Sequence, residues 1–361
     1  MTSPPILCLG AGAIGSLVGA KLTQAGVSAG LVGRGAHIEA VRRSGLVLEE
    51  AGRSVRLAVL AYGSLEEAFA DQGVPTALVL AVKNFDAGDA AAELAGALEK
   101  WPGRSLAGRR GAPPATPTVL CLQNGLGAEE AVARHLGPRS VLAGAITLSV
   151  ERPEPGRLKL LTTHGGITVA PGDLAGPGAS GLVGSLRAAG FRLRLHRRPD
   201  SVKWSKVLLN LWANASSAVF DKTPAQVVAD DGLFHLDWAC FREALRVMTA
   251  AGIPAVDLPG YPVRLLALAG RVLPEGTFRQ LLGRRVVGGR GGKMPSLWLD
   301  LHAGRRRLEV GALNGAVAAA GRNLGLPTPA NESLARALDN LAAGRLRPDH
   351  YSSSPGRLLE R

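Results

Sequence analysis

Ile6-Leu7-Cys8-Leu9-Gly10-Ala11-Gly12-Ala13-Ile14-Gly15 is the stretch that decides the fold. Four apolar residues read as a short buried strand, which runs directly into a glycine turn and then an apolar-periodic helix to Gln24, stopped by Gly26. Gly10, Gly12 and Gly15 satisfy G-x-G-x-x-G. The first permits a tight turn, the second lets backbone N–H groups approach a pyrophosphate, and the third allows close helix packing. Gly10 to Gly15, with Ala11, Ala13 and Ile14 between the glycines, therefore form a candidate dinucleotide cradle at a helix N-terminus, where an anion is favoured. The same pattern also fits a glycine-rich turn in an ordinary α/β domain.

Outward from this turn, strand and helix patterns alternate. Further apolar runs occur at Ala29 to Val32, Ala77 to Val82, Thr118 to Leu122 and Val141 to Val150, and two more candidates, Leu158 to Val169 and Phe191 to His196, are expected to close the sheet. Such alternation predicts a parallel, doubly wound α/β sheet of the Rossmann type. Beyond Ser201 the pattern becomes helical, with long periodic stretches at Val202 to Val219 and Leu233 to Ala251. The expected organisation is a dinucleotide-binding domain over residues 1–199, an all-helical domain over 200–345, and a polar tail over 346–361. Trp101 to Pro117 reads as a surface loop and Gly288 to Lys293 as a connector.

Composition narrows the function classes. The 361 residues, 46% apolar, suffice for one or two cores. No apolar run approaches the roughly 18 residues of a membrane span, and Met1 to Pro5 has no signal-peptide pattern, so a cytoplasmic protein without membrane partners is expected. Cys8, Cys121 and Cys240 are distant from one another and sit among apolar neighbours, which fits reduced core positions with no disulfide framework and no metal site. The net charge of +13 comes mainly from scattered arginines, with only eight lysines and 4% aromatic residues. That is a poor match to a nucleic-acid surface, although it favours anionic ligands.

Cofactor choice turns on the end of the second strand. An NAD site usually carries Asp or Glu about 20 residues past the glycines, to bind the ribose 2′-hydroxyl. This chain has Gly33-Arg34-Gly35 there. A guanidinium at that position pairs with a 2′-phosphate, which favours NADP(H), or it is a solvated loop arginine. Lys83 and Asn124 follow two other apolar strands, where doubly wound sheets place ligands; an exposed lysine and an Asn-Gly turn are the alternatives. In the helical half, Lys206, Asn210 and Asn214 recur every four residues, so an uninterrupted helix puts them on one face. Two asparagines are poor interior helix formers, which points to a polar pocket; a solvated face is the alternative. Ser296, Asp300, Glu309 and Asn314 lie on or beside two helices separated by Gly304 to Arg307, and Glu309 taken alone reads as a surface acid.

Together these residues resemble the ketopantoate reductases, within the wider group of NADP-dependent 2-oxoacid reductases that join a Rossmann domain to a helical dimerisation domain. The resemblance runs over most of the chain. It rests on Gly10 to Gly15, the Val-Gly-Arg ending at Arg34, Val82-Lys83, Gln123-Asn124-Gly125, Trp204-x-Lys206-x3-Asn210-x3-Asn214, Ser296-x3-Asp300, and Glu309-x4-Asn314-Gly315 followed by Gly325-x-Pro327-Thr328-Pro329-x-Asn331. It implies that Lys206 is the general acid, that Asn210, Asn214 and Ser296 bind substrate, and that Glu309 is a catalytic carboxylate contacting a substrate hydroxyl or the cofactor. Lys83 and Asn124 match positions contacting NADPH and the reacting centre.

The implied reaction is NADPH-dependent reduction of 2-dehydropantoate to pantoate, in pantothenate synthesis, at a site expected between the two domains. Hydride delivery to a keto carbon builds negative charge on its oxygen, which an ammonium can stabilise and protonate. Departures cluster in the substrate region. Gly311 stands where a second acid is common, Ala215 replaces the usual proline, the Asp300 to Glu309 spacing is one residue longer than in compact members, and the stretch from Ile253 to Lys293 is extended. Another 2-oxo acid or ketone is the second reading, and a non-catalytic NADP-binding sensor the third. Apolar residues throughout the C-terminal helices are compatible with a homodimer.

Overall fold

The computed structural model describes residues 6–101, 116–162, 164–171, 178–281, 294–347, 349–351 and 358. Most of the predicted loop at 101–117, the connector at 288–293 and much of the C-terminal tail lie outside them.

The strands are β1 (Ile6–Leu9), β2 (Ala29–Val32), β3 (Leu46–Glu50), β4 (Arg53–Leu57), β5 (Leu60–Tyr62), β6 (Ala77–Leu80), β7 (Thr118–Cys121), β8 (Val141–Ile146), β9 (Val150–Glu151), β10 (Arg157–Leu160), β11 (Ile167–Ala170) and β12 (Leu193–Leu195). Among the described residues, eight of them form the principal sheet in the order β12-β11-β8-β7-β6-β1-β2-β5. β1 sits between β2 and β6, with Cys8 opposite both Leu31 and Val79, and all three strands are parallel. These strands are buried on both faces, which is why they read as unbroken apolar runs.

The N-terminal glycine turn, the parallel core and the helices between strands follow the expected doubly wound pattern. Two details differ. β11 runs antiparallel to β8. The predicted Leu158 to Val169 strand divides: β10 leaves the principal sheet for a four-stranded one, ordered β4-β3-β10-β9, while β11 alone stays. Burial explains the division, because β10 alternates along its length and β11 is buried throughout.

The described residues form two compact units. One comprises the chain up to Gln123, Gly127–Val202 and Leu258–Tyr261; the other comprises Asn124–Leu126, Lys203–Asp257 and the chain from Pro262 onward. The second unit is helical and is built around the Asp231–Ala250 helix, whose buried face includes Phe234, Trp238 and Phe241. In the first unit, Leu258–Tyr261 forms a tight turn: Pro259 offers its carbonyl to Thr147 Oγ1 at 2.7 Å, and Gly260, at φ +81°, lies where a Cβ would meet the His164 carbonyl. All three cysteines are free and buried, and burial pushes the Cys8 thiol up to about 12. Among the described residues no helix is long and apolar enough to cross a membrane.

Candidate active site

The glycine turn begins where β1 ends. Gly10 has φ +101°, and a Cβ there would lie 2.5 Å from Val82 N; a Cβ on Gly15 would lie 2.1 Å from Gly10 O. Both glycines are thus demanded by the packing of the turn against its own helix and the end of β6. Gly12 is different. A Cβ there would meet nothing within 4 Å, and its backbone, at φ −76°, does not require glycine. Gly12 caps the Ala13–Gln24 helix without a side-chain hydrogen bond, and that helix has no acid in its first turn. An open approach to unsatisfied N–H groups at the positive end of a helix is what a dinucleotide pyrophosphate needs. Ala11, Ala13 and Ile14 pack partly buried against the adjoining core.

Gly33 brings the end of β2 against the turn, since a Cβ there would lie 2.8 Å from the Ala11 Cβ. Next to it, Arg34 stands 81% exposed and pairs with Glu93 at 3.3 Å. Gly10 and Arg34 line one cleft of about 430 Å³, which also takes in Val82, Asp86, Asp89 and Glu93. Lys83 lies half-buried just past that wall, ahead of the Asn84–Asp86 turn. Two residues outside the sequence reading attend the turn. Arg152 donates to the Ala11 carbonyl at 3.3 Å. Buried His37 accepts from Gly156 N at Nδ1 and faces Ser16 Oγ through Nε2. No local pattern marks either, because Arg152 comes from the turn between β9 and β10.

In the helical unit, the expected single helix through Lys206, Asn210 and Asn214 is interrupted. One helix spans Pro199–Asn210 and the next Ala215–Phe220. Between them, Trp212 is buried against Phe234, Phe241 and Phe278, and Ala213 adopts the left-handed φ of 49°. The N–H of Ala213 donates to Asp237 Oδ2 at 2.7 Å, and Ser216 Oγ reaches the same oxygen at 3.1 Å. Asp237 is 1% exposed. A buried carboxylate thus satisfies a backbone group freed by the break.

The break separates the polar stripe. Lys206 and Asn210 share a helix face, while Asn214 precedes the next helix and accepts from Leu297 N at 3.4 Å through Oδ1, beside half-buried Ser296. Asn210 Nδ2 donates to Asn124 Oδ1 at 3.3 Å. The Asn124–Leu126 loop also meets the turn that carries Glu309: a Cβ on Gly125 would lie 2.4 Å from Ala312 O, which accepts from Leu126 N at 2.9 Å. Glu309 is 5% exposed and opens the Glu309–Ala312 turn, so the surface-acid reading does not hold for it. The helical unit therefore brings Asn210 and the Glu309–Ala312 turn to the Asn124–Leu126 loop, with Lys206 one turn before Asn210 on its helix.

Asn314 and Asn331 take a structural place. Asn314 donates to Asn331 Oδ1 at 3.0 Å, and Glu243 Oε2 accepts from Asn331 N and Nδ2 while Oε1 accepts from Ala330 N. All three side chains are buried, and Glu243 caps the Pro329–Ala342 helix. Within the sequence, Glu243 is one acid on a long helix and carries no signal of this role.

Comparison with known proteins bears on the whole chain. Residues 6–173 match the family model described as ketopantoate reductase PanE/ApbA, and residues 200–342 match its C-terminal counterpart. The chain is 28% identical over 335 residues to a 2-dehydropantoate 2-reductase of Halobacterium salinarum, covering 91% of this chain and 96% of the relative. With one from Mesorhizobium japonicum it shares 27% over 350 residues, covering 94% and 98%. Among solved structures, a PanE/ApbA family ketopantoate reductase from Ralstonia eutropha superposes with a TM-score of 0.74 at 24% identity, covering 94% and 99%. D-mandelate dehydrogenase, solved with NADH and anilino(oxo)acetate, gives 0.73 at 19%, covering 94% and 98%. These two structural likenesses establish the fold.

Proposed function

Because the chain belongs to the ketopantoate reductase PanE/ApbA family of oxidoreductases, we propose that it reduces 2-dehydropantoate to pantoate with NADPH, using Lys206 as the general acid. One observation carries the reading: Lys206 and Asn210 share a helix face, Asn210 bonds Asn124, and the Asn124–Leu126 loop docks on the turn that presents Glu309. A cation, a carboxylate and neutral amides thus belong to one compact unit, which supports the reading.

Bound NADPH supplies the hydride. The residues that fit its pyrophosphate are those of the Gly10 to Gly15 turn, with open Gly12 at the helix N-terminus, and Arg34 suits the 2′-phosphate. Lys83, past the end of β6, is assigned to the cofactor as well. Asn124, Asn210, Asn214 and Ser296 orient the substrate by hydrogen bonds without adding charge. As negative charge builds on the former keto oxygen, the Lys206 ammonium stabilises it and donates a proton from Nζ. Glu309 accepts a hydrogen bond from a substrate hydroxyl or the cofactor. A cytoplasmic setting belongs to the same reading. So does a homodimer through the C-terminal helices, where Leu265, Leu268 and Val272 expose one apolar face; a monomer by analytical ultracentrifugation would contradict it.

The test is NADPH consumption at 340 nm over a panel of 2-oxo acids including 2-dehydropantoate. Turnover fastest with 2-dehydropantoate is expected, and absence of turnover on every compound would sink the reading. Bulkier 2-oxo acids belong in the panel because Ala215 and Gly311 leave less side chain near the substrate residues than the family pattern provides. Preference for one of them would retain the reaction and change the substrate.

A further inference from the structure

The cleft that holds Arg34 is lined by one guanidinium and three carboxylates, those of Asp86, Asp89 and Glu93. Asp89 and Glu93 lie four apart on the Ala87–Lys100 helix and so share its cleft-facing side. That is an unexpected balance of charge for a pocket taking a 2′-phosphate. Arg34 is moreover already engaged, through Nη2, with Glu93 Oε2 at 3.3 Å. The carboxylate that an NAD site usually carries at the end of its second strand is missing from β2, yet one is present on the neighbouring helix, in contact with the residue that stands in its place.

Resting on the proposed use of NADPH, we infer that Glu93 is a specificity-determining residue: it competes with the 2′-phosphate for Arg34 and thereby sets the ratio of NADPH to NADH affinity. Binding of NADPH exchanges one anionic partner of Arg34 for another and brings a second negative group toward Glu93. NADH carries a 2′-hydroxyl, which asks for neither change and which a carboxylate can accept as a hydrogen-bond donor. The chain is then a reductase of moderated NADPH preference, tuned by an acid outside the glycine motif and outside the β2 end.

The ion pair is solvent-exposed, so its effect is bounded and screened by salt. Glu93→Gln is expected to tighten NADPH binding by roughly 3- to 5-fold at low ionic strength and to leave NADH within about 2-fold. Dissociation constants are read by titration calorimetry for NADPH, NADH and 2′,5′-ADP, with wild type, Glu93→Gln, Arg34→Ala and the double variant, at about 20 mM and about 500 mM salt. The inference requires that 2′,5′-ADP follow NADPH, that the gain fall away in the Arg34→Ala background, and that it shrink at high salt. An unchanged NADPH to NADH ratio in Glu93→Gln, with wild type binding NADPH normally, overturns this inference alone. An equal gain with and without Arg34 overturns it too. Wild type that binds neither nucleotide overturns both this inference and the proposed function. Matching circular dichroism and melting temperature confirm that substituting the half-buried Glu93 leaves the fold intact.

Discussion

Acidification should weaken this fold through one histidine. His37 is 5% exposed, and Gly156 N donates to its Nδ1 at 3.0 Å, so Nδ1 must carry no hydrogen. The ring is therefore neutral, with its hydrogen assigned to Nε2, 2.9 Å from Ser16 Oγ. Burial, and then the charge of Arg152, lower its pKa from 6.5 to about 4. In the unfolded chain the imidazole has its ordinary value, so between these two pKa values the unfolded state binds a proton that the folded state refuses. Stability is complete above about pH 7 and declines as pH falls, by up to about 1.4 kcal/mol per unit. Integrated from pH 7.5 to pH 5, the loss is about 2 kcal/mol. His37→Gln keeps an acceptor for Gly156 and a donor for Ser16 but does not titrate. Urea unfolding at pH 7.5, 6.5, 5.5 and 5.0 should show wild type falling relative to the variant by that amount. Parallel curves would refute the assignment of a neutral, buried His37. Ser16 directly follows Gly15, so the same protonation is expected to disturb the helix that presents the cofactor turn.

The two kinds of glycine in that turn separate by experiment. Gly12→Ala should leave the melting temperature nearly unchanged, because the added Cβ meets no protein atom, while weakening NADPH binding about 10-fold or more. Gly15→Ala, with a Cβ 2.1 Å from Gly10 O, should lower the melting temperature outright; the reverse ranking would contradict the roles given to them. Asp237→Ala strands the Ala213 N–H at the helix break and should cost about 2 to 4 kcal/mol in urea unfolding. A loss below about 0.5 kcal/mol would mean that the break does not depend on this carboxylate.

What was legible in the sequence is what local pattern encodes. β1, the glycine turn and β2 appear where they are expected because a parallel core strand is apolar from end to end and its turn chemistry is contiguous. The break after Asn210 was not legible. No Gly or Pro interrupts residues 203–223, and the four-residue spacing of Lys206, Asn210 and Asn214 continues across it. Its causes lie elsewhere in the chain: an aromatic cluster that draws Trp212 inward and a carboxylate at Asp237, 24 positions on. The small second sheet was hidden for a related reason, since β3 and β10 are short and pair across more than 100 residues. Of the candidate site, residue types and elements could be read from pattern and resemblance. The pairing of Arg34 with Glu93, the burial of Glu309 and the structural use of Asn314 and Asn331 could not, because each depends on a distant partner or on packing.

The most direct test of the account is turnover by Lys206→Ala set beside its cofactor affinity. The account predicts that kcat for reduction of the preferred 2-oxo acid falls by roughly 10²- to 10⁴-fold, the range of a lost general acid, while the dissociation constant for NADPH stays within about 2-fold of wild type. A variant that turns over at the wild-type rate would contradict the assignment of Lys206 as the proton donor.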